Sequence, residues 1–257
     1  LEIGGQEHYY LEGQVAISIP TEDNEMVIHS STQNPTEVQH LVSHVLNVPQ
    51  NAIEVVTRRM GGGFGGKETD ASQLACICAI FSEKTKRPVK ARLSRKDDML
   101  LTGKRHDFVA NYEVGFDDQG LIEGITMDLA ARCGYSLDLS MAIVSRALFH
   151  SDNAYYIPNA TFTGYLCKTN TASNTAFRGF GGPQGMLAIE NIVEEIANTL
   201  GLDPLEVRRS NFYQKNENNV TPYSQVIEDN IISEITDELI SDSNYHSRRK
   251  EIDKFNK

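Results

Sequence analysis

No stretch of this 257-residue chain is apolar for long enough to span a bilayer, and its opening, Leu1-Glu2-Ile3-Gly4-Gly5, is no signal peptide. Cations are in short supply: 24 Lys and Arg stand against 35 Asp and Glu, a formal charge of -11. That average field repels polyanions and sets nucleic acid aside as a general partner. The four cysteines, Cys76, Cys78, Cys133 and Cys167, lack the spacing of a zinc or iron–sulfur site and form no secreted disulfide framework. They read as buried, reduced thiols of a cytoplasmic protein. The histidines are scattered, and His40 and His44 lack the Glu of a zinc-protease motif, so they read as helix-surface residues. Internal repeats and low-complexity linkers are missing too. So is an initiator Met, and the helical pattern running to Lys257 has no stop signal, which reads as a piece of something longer.

What remains is a globular composition, 40% hydrophobic and 23% charged, with length for one or two domains. Alternating apolar residues predict strands over 15–19 and 26–29, joined by a polar turn at 21–25. Asn34-Pro35 opens a helix over 36–46, since Pro suits the first helical position after a polar cap. A strand over 53–58 runs into glycines, and a helix over 69–86 leaves them. A strand over 88–93, a short helix over 95–101 and a hairpin of 108–116 with 121–129 around Asp117-Asp118-Gln119-Gly120 follow. Then come a helix over 141–149, a strand over 160–167, a helix over 184–200 stopped by Gly201, one capped by Asp203-Pro204 through 209, and an amphipathic helix using Ile231, Ile232, Ile235 and Leu239. Hairpins mixed with strand–helix units make the class α+β: mixed and antiparallel sheets with packed helices, and a helical C-terminal third. An internal seam is expected near 104–106 or 168–176.

Two glycine-rich segments stand out, Gly61-Gly62-Gly63-Phe64-Gly65-Gly66-Lys67-Glu68 and Arg178-Gly179-Phe180-Gly181-Gly182-Pro183-Gln184-Gly185. Bare backbone of this kind approaches ligands closely and adopts positive φ. Gly61-x-Gly63-x-x-Gly66 fits the dinucleotide fingerprint only formally, because the acids about 20 residues on fall inside a helix instead of ending a strand. Gly61-x-x-x-x-Gly66-Lys67 fits a P-loop until Glu68, which stands where a magnesium-binding hydroxyl belongs and would repel a nucleotide. Glu68 is then either a charge in the first turn of a helix, stabilised by the helix dipole, or a substrate-facing acid beside a nest of backbone amides. Spacing leaves both open.

Five longer motifs add a resemblance. Gly4-Gly5-Gln6-Glu7-His8-Tyr9-Tyr10-Leu11-Glu12, Ser31-Thr32-Gln33-Asn34, the segment from Arg59 to Thr69, Arg146-Ala147-Leu148-Phe149-His150 and the segment from Asn174 to Gly185 resemble, in order and spacing, the molybdenum-cofactor-binding region of the xanthine dehydrogenase family. The match runs along the whole chain. It implies a molybdopterin cofactor with no direct protein ligand to the metal, and hydroxylation of an electron-poor carbon with oxygen from water. Electrons would leave through iron–sulfur clusters to FAD or NAD in other domains or subunits.

Carried over by position, Gln33 is the residue whose amide bonds an oxo group on the metal. Phe64, Gly65 and Arg178 are the positions whose backbone amides approach the cofactor. Glu68 and Arg146 are the pair that grips a purine, Arg146 also stabilising charge that builds on the ring. Phe180 stacks on the substrate. Related aldehyde oxidases carry apolar residues at the Glu68 and Arg146 positions, so the pair points to hypoxanthine or xanthine. Another N-heterocycle or an aldehyde is the alternative. The family's general-base glutamate, a second stacking phenylalanine and further pterin contacts belong to a later segment, so the chain alone is expected to be inactive and empty of molybdenum.

Overall fold

The structure, a computed structural model, describes residues 1–256, leaving Lys257 outside. Its elements run β1 (Glu2–Ile3), β2 (Val15–Pro20), β3 (Met26–Ser30), α1 (Pro35–Leu46), β4 (Ile53–Val56), α2 (Asp70–Thr85), β5 (Val89–Arg92), α3 (Arg95–Leu101), β6 (Phe108–Phe116), β7 (Ile122–Gly134), α4 (Ser140–Phe149), β8 (Ala160–Lys168), α5 (Gly182–Leu200), α6 (Pro204–Asn211), α7 (Ile232–Asp242) and α8 (Tyr245–Phe255). The class is α+β with a helical C-terminal third. One sheet has the order β4-β3-β2-β5 and is mixed, β3 and β4 being parallel; the other has the order β1-β6-β7-β8.

The chain divides into two compact units. The first comprises Leu1–Ala110, Asp128–Leu148 and Gly164–Gln184, the second Asn111–Met127, Phe149–Thr163 and Gly185–Lys257. Residues 104–106 and 168–176, where a seam is expected from sequence, both lie inside the first unit.

In the first unit, α1 and α2 pack on the mixed sheet around Ala16, Met26, Ile28, Val38, Val42, Ile53, Leu74 and Cys78. Alternate strand residues turn inward, as the pleat requires. The buried side of α2 carries Ala71, Ser72, Ala75, Ala79 and Ser82, small enough for close approach to β2. At that approach Cys78 Sγ and Ser82 Oγ donate to the carbonyls of Ala16 and Ser18. Caps set the helix starts: Asn34 Oδ1 accepts from Glu37 N at 3.2 Å and Ser94 Oγ from Asp97 N at 3.2 Å. Strand β1 pairs antiparallel with the start of β6, Glu2 opposite Val109.

In the second unit, α5 buries Ala188, Ile189, Ile192, Val193, Ile196 and Ala197, the 3.6-residue stripe expected of it. Asp203 caps α6 by accepting from Leu205 N at 2.8 Å, with Pro204 at the first position. Asn211 accepts from Ile122 N and donates to Gly120 O, both at 2.8 Å, tying the end of α6 to the hairpin turn.

The thiols need a correction. Cys78 and Cys133 are buried and Cys76 partly so, but Cys167 is exposed. It lies two residues from exposed Tyr165 on β8, so the pleat turns both outward. His40 and His44 lie exposed on α1.

Candidate functional site

Gln33 shapes the first glycine loop. Its Oε1 accepts from Gly65 N at 2.8 Å and from Lys67 N at 3.2 Å, while its own N–H donates to Lys67 O at 2.8 Å. With the carbonyl end spent on two amides, the amide orientation is fixed, and the NH2 end of this exposed residue has no partner among the described residues. A Cβ on Gly63 would lie 2.5 Å from Gln33 Oε1, so a larger residue there would have to displace the Gln33 side chain from this contact.

Lys67 points away from this face. It is 0% exposed, donates to Ser31 Oγ at 2.9 Å, lies 3.4 Å from Glu12 Oε2 and sits over the Tyr10 ring. Glu12 also accepts from Gly61 N at 2.6 Å. The one residue that made the loop look like a phosphate cradle is therefore an internal brace. Burial lowers its ammonium pKa, and Glu12 works against that shift.

The second loop is built against the first. Arg178 N donates to Phe64 O at 2.9 Å, and a Cβ on Gly65, whose φ is +103°, would lie 2.4 Å from Ala176 O. On the other side a Cβ on Gly181 would lie 2.0 Å from Ile143 O, pressing this loop onto α4, the helix that carries Arg146. The N-terminal motif serves as the brace here. Arg105 takes Gln6 Oε1 at 2.7 Å and Arg178 O at 2.8 Å while its guanidinium covers the Phe177 ring, and His8 Nε2 donates to Ala176 O at 2.6 Å. Gln6, His8 and Arg105 have roles that no local pattern shows, because their partners lie far along the chain.

All seven residues predicted from sequence fall in the first unit. Phe64, with its ring 48% exposed, Arg178 and Arg146 are exposed, and Glu68 and Phe180 half-buried. Of the three backbone amides expected to face a cofactor, those of Gly65 and Arg178 are engaged by Gln33 and Phe64 O; the Phe64 N–H has no partner among the described residues. Glu68 is not in the first turn of a helix, since α2 starts at Asp70. Instead of being stabilised as an anion, its carboxyl has its pKa raised, by burial and then by Asp138. No ion pair joins Glu68 to Arg146 among the described residues, so each keeps its polar end free. Asp138, Thr69 and Thr175, unremarked in the sequence reading, cluster here: Asp138 accepts from Thr175 Oγ1 at 2.6 Å.

The Gln33 NH2, the Phe64 N–H and the Arg178 side chain are donors without a protein partner among the described residues, carried on or beside loops whose glycines Gly65 and Gly181 leave no room for a Cβ. An anionic cofactor with oxo groups fits that donor set. The profile of the molybdopterin cofactor-binding domain matches residues 1–212. The chain belongs to this family. It is 48% identical over 256 residues to the xanthine dehydrogenase of Dictyostelium discoideum, covering 100% of this chain and 19% of that protein. It is 45% identical over 257 residues to the nicotinate hydroxylase of Emericella nidulans, covering 99% of this chain and again 19% of the relative. Among solved structures, the aldehyde oxidoreductase of Desulfovibrio gigas superposes with a TM-score of 0.85 at 27% identity, over 94% of this chain and 26% of that one. The chain thus spans 19% of the length of these two curated relatives.

Proposed function

We propose that this chain is the purine-recognising part of a molybdenum hydroxylase that oxidises hypoxanthine or xanthine in the cytoplasm, with iron–sulfur and FAD domains or subunits receiving the electrons. The observation that carries the reading is Glu68 and Arg146 borne, unpaired with each other, on the elements that Gln33 and the two glycine loops assemble. When bound, the molybdenum cofactor supplies oxidation of a C–H bond with oxygen drawn from water. Gln33 Nε2 and the Phe64 N–H would donate to its oxygens, and the Arg178 guanidinium would balance its negative charge.

Arg146 offers planar donors to a purine carbonyl and stabilises the negative charge that accumulates on the ring as carbon is attacked. Glu68 bonds a ring nitrogen, as acceptor when ionised and also as donor when protonated. Phe180 covers one face of the flat heterocycle.

In the full-length enzyme, Glu68→Ala and Arg146→Ala are expected to lower purine kcat/KM by roughly 100-fold or more while molybdenum content stays near that of the unmodified enzyme. Unchanged purine kinetics in both variants would overturn the assignment. The resemblance to nicotinate hydroxylase supports a second reading, in which Arg146 takes the carboxylate of an acidic N-heterocycle. Turnover of nicotinate but not purines in a substrate panel would favour it.

A further inference from the structure

The mixed sheet of the first unit carries helices on one face. Ala16, Met26, Ile28 and Ile53 turn toward α1 and α2, and Val89 and Ala91 of β5 pack against the same core. The pleat therefore turns their neighbours the other way. One rung of that outer face runs Val56, His29, Ile17, Lys90 across all four strands, and Val15 pairs with Arg92 on the next. Val15, Ile17 and Val56 are half-buried, whereas His29, Lys90 and Arg92 stand exposed. The three aliphatics line an open cavity of about 290 Å³ together with His29, Lys90 and exposed Arg58 and Arg59, which lead from β4 toward the first glycine loop.

Positive charge is left unspent here, in a chain of net charge -11. Arg58, Arg59, Lys90 and Arg92 form no ion pair among the described residues. Glu12, the acid that lines the cavity, is already committed: it accepts from Ser31 Oγ at 2.8 Å and Gly61 N at 2.6 Å, and lies 3.4 Å from Lys67 Nζ. Glu54 lies a rung away, opposite Val27, and does not line the cavity.

We propose that this outer face docks an acidic, aliphatic segment of polypeptide from the remainder of the enzyme. The chain spans 19% of the length of two curated relatives, and the segment comes from the part outside it. The average field of the chain repels an acidic segment, whereas this face offers it four unpaired cations. Aliphatic side chains of the segment cover Val15, Ile17 and Val56. Its carboxylates meet the arginines as forked pairs and Lys90 as a point charge. A small anion would answer the cations but leave the three aliphatics facing water, so the apolar area selects a polypeptide. Docking reaches the first loop as well, since Glu12 both lines the cavity and holds Gly61 N.

The test is zero-length carbodiimide cross-linking of the full-length enzyme, read by mass spectrometry at Lys90. Lys90 should be joined through an amide to an Asp or Glu outside residues 1–257. Pairing with a carboxylate raises an ammonium pKa, and a rise of about one unit makes acetylation of Lys90 about tenfold slower than that of exposed Lys84 on α2. Lys90→Glu should speed hydrogen exchange over 15–20 and 56–62, and converting the cross-linked acid to lysine in that background should slow it again. Lys90 acetylated as fast as Lys84, or joined only to acids within residues 1–257 of its own copy, would overturn the proposal. Links to those residues of a second copy, in an isotope-mixed sample, would mark a self-interface and overturn it too. Protection of Lys90 by inorganic phosphate without a cross-link would replace the segment with a small-anion site. Exchange that stays fast after the second substitution would reject the charge pairing, and the proposal with it.

Discussion

The loop at 61–67 is held chiefly by side chains that reach it from distant positions, whereas the loop at 178–182 is held mainly by main chain pressed against main chain. Gln33, Glu12 and Ser31 brace the first, through its amides and through buried Lys67. The second rests on Phe64 O, on Ile143 O and on the Arg105 bond to Arg178 O. Side-chain bracing lets the first loop turn polar groups outward, and Gln33 does so with its NH2 end. Main-chain contact leaves the second loop almost no tolerance for an added atom. The first loop's bracing leaves the Gln33 NH2 free, while the second, besides carrying Arg178 and Phe180, fixes the distance between α4 and the first loop.

The sharpest break of that contrast comes from alanine at matched positive φ. Gly181 and Gly62 have φ of +94° and +92°, so each pays the left-handed cost of about 1–2 kcal/mol. At Gly62 the nearest atoms are the Phe64 ring and Tyr10 Cβ, both 3.2 Å from the new Cβ, and the exposed ring can move. At Gly181 the neighbour is a carbonyl at 2.0 Å, which backbone alone must relieve. Gly181→Ala is expected to destabilise its surroundings by about 3 kcal/mol or more, the larger part of it steric. Hydrogen exchange of peptides over 140–150 and 60–67 in the full-length enzyme reads both sites. Equal effects would show that the two loops are fastened alike.

A smaller effect separates the loops by pH. Asp70 heads α2, which leaves the first loop; burial, opposed by the bond from Gly103 N, raises its pKa to about 7. A carboxyl raised above its unfolded value contributes stability that is full below the ordinary carboxylate range and is lost as pH rises through about 7. His106 lies near the second loop, where Gln184 Nε2 donates to its carbonyl; burial lowers its pKa to about 4, so it stays neutral through that window. Asp70→Asn should therefore protect the start of α2 at pH 8 by about 2 kcal/mol and give no gain at pH 4. Peptides over 140–150 should be unaffected at either pH. Protection of both regions, or a gain at pH 4, would show that the pH dependence is not local to the first loop.

How legible this was depended on the range of each interaction. Apolar spacing located α1, α2, α3 and α5 to within a residue or two, because a helix carries its own periodicity. Strand β1 escaped, since two residues have no period and its partner Val109 is more than a hundred positions away. The motifs brought the right residues to one unit, yet the buried state of Lys67 was invisible because Glu12 and Ser31 lie far upstream. Glu68 was read as a possible helix-start charge; the helix begins two residues later, and its neighbour Asp138 arrives from a different turn. Cys167 was read as buried because thiols usually are, but the pleat of β8 turned it out.

The smallest expected change in stability tests whether presenting and bracing are separable within the first loop. Gln33→Glu keeps an acceptor oxygen toward Gly65 N and Lys67 N, so the brace persists and local stability should shift by no more than about 0.5 kcal/mol. The outward end changes from a donor to an anionic acceptor, which can neither bond an oxo group nor sit comfortably beside an anionic cofactor. Losing one hydrogen bond to a charged group corresponds to roughly tenfold or more in affinity. Molybdenum content of the purified full-length variant should accordingly fall steeply while hydrogen exchange over 60–67 stays as before. Full loading with normal exchange would mean that the Gln33 NH2 end is not what the first loop presents. Lost loading together with fast exchange would mean that the brace and the presented group are one interaction, and the contrast between the two loops would then be one of degree.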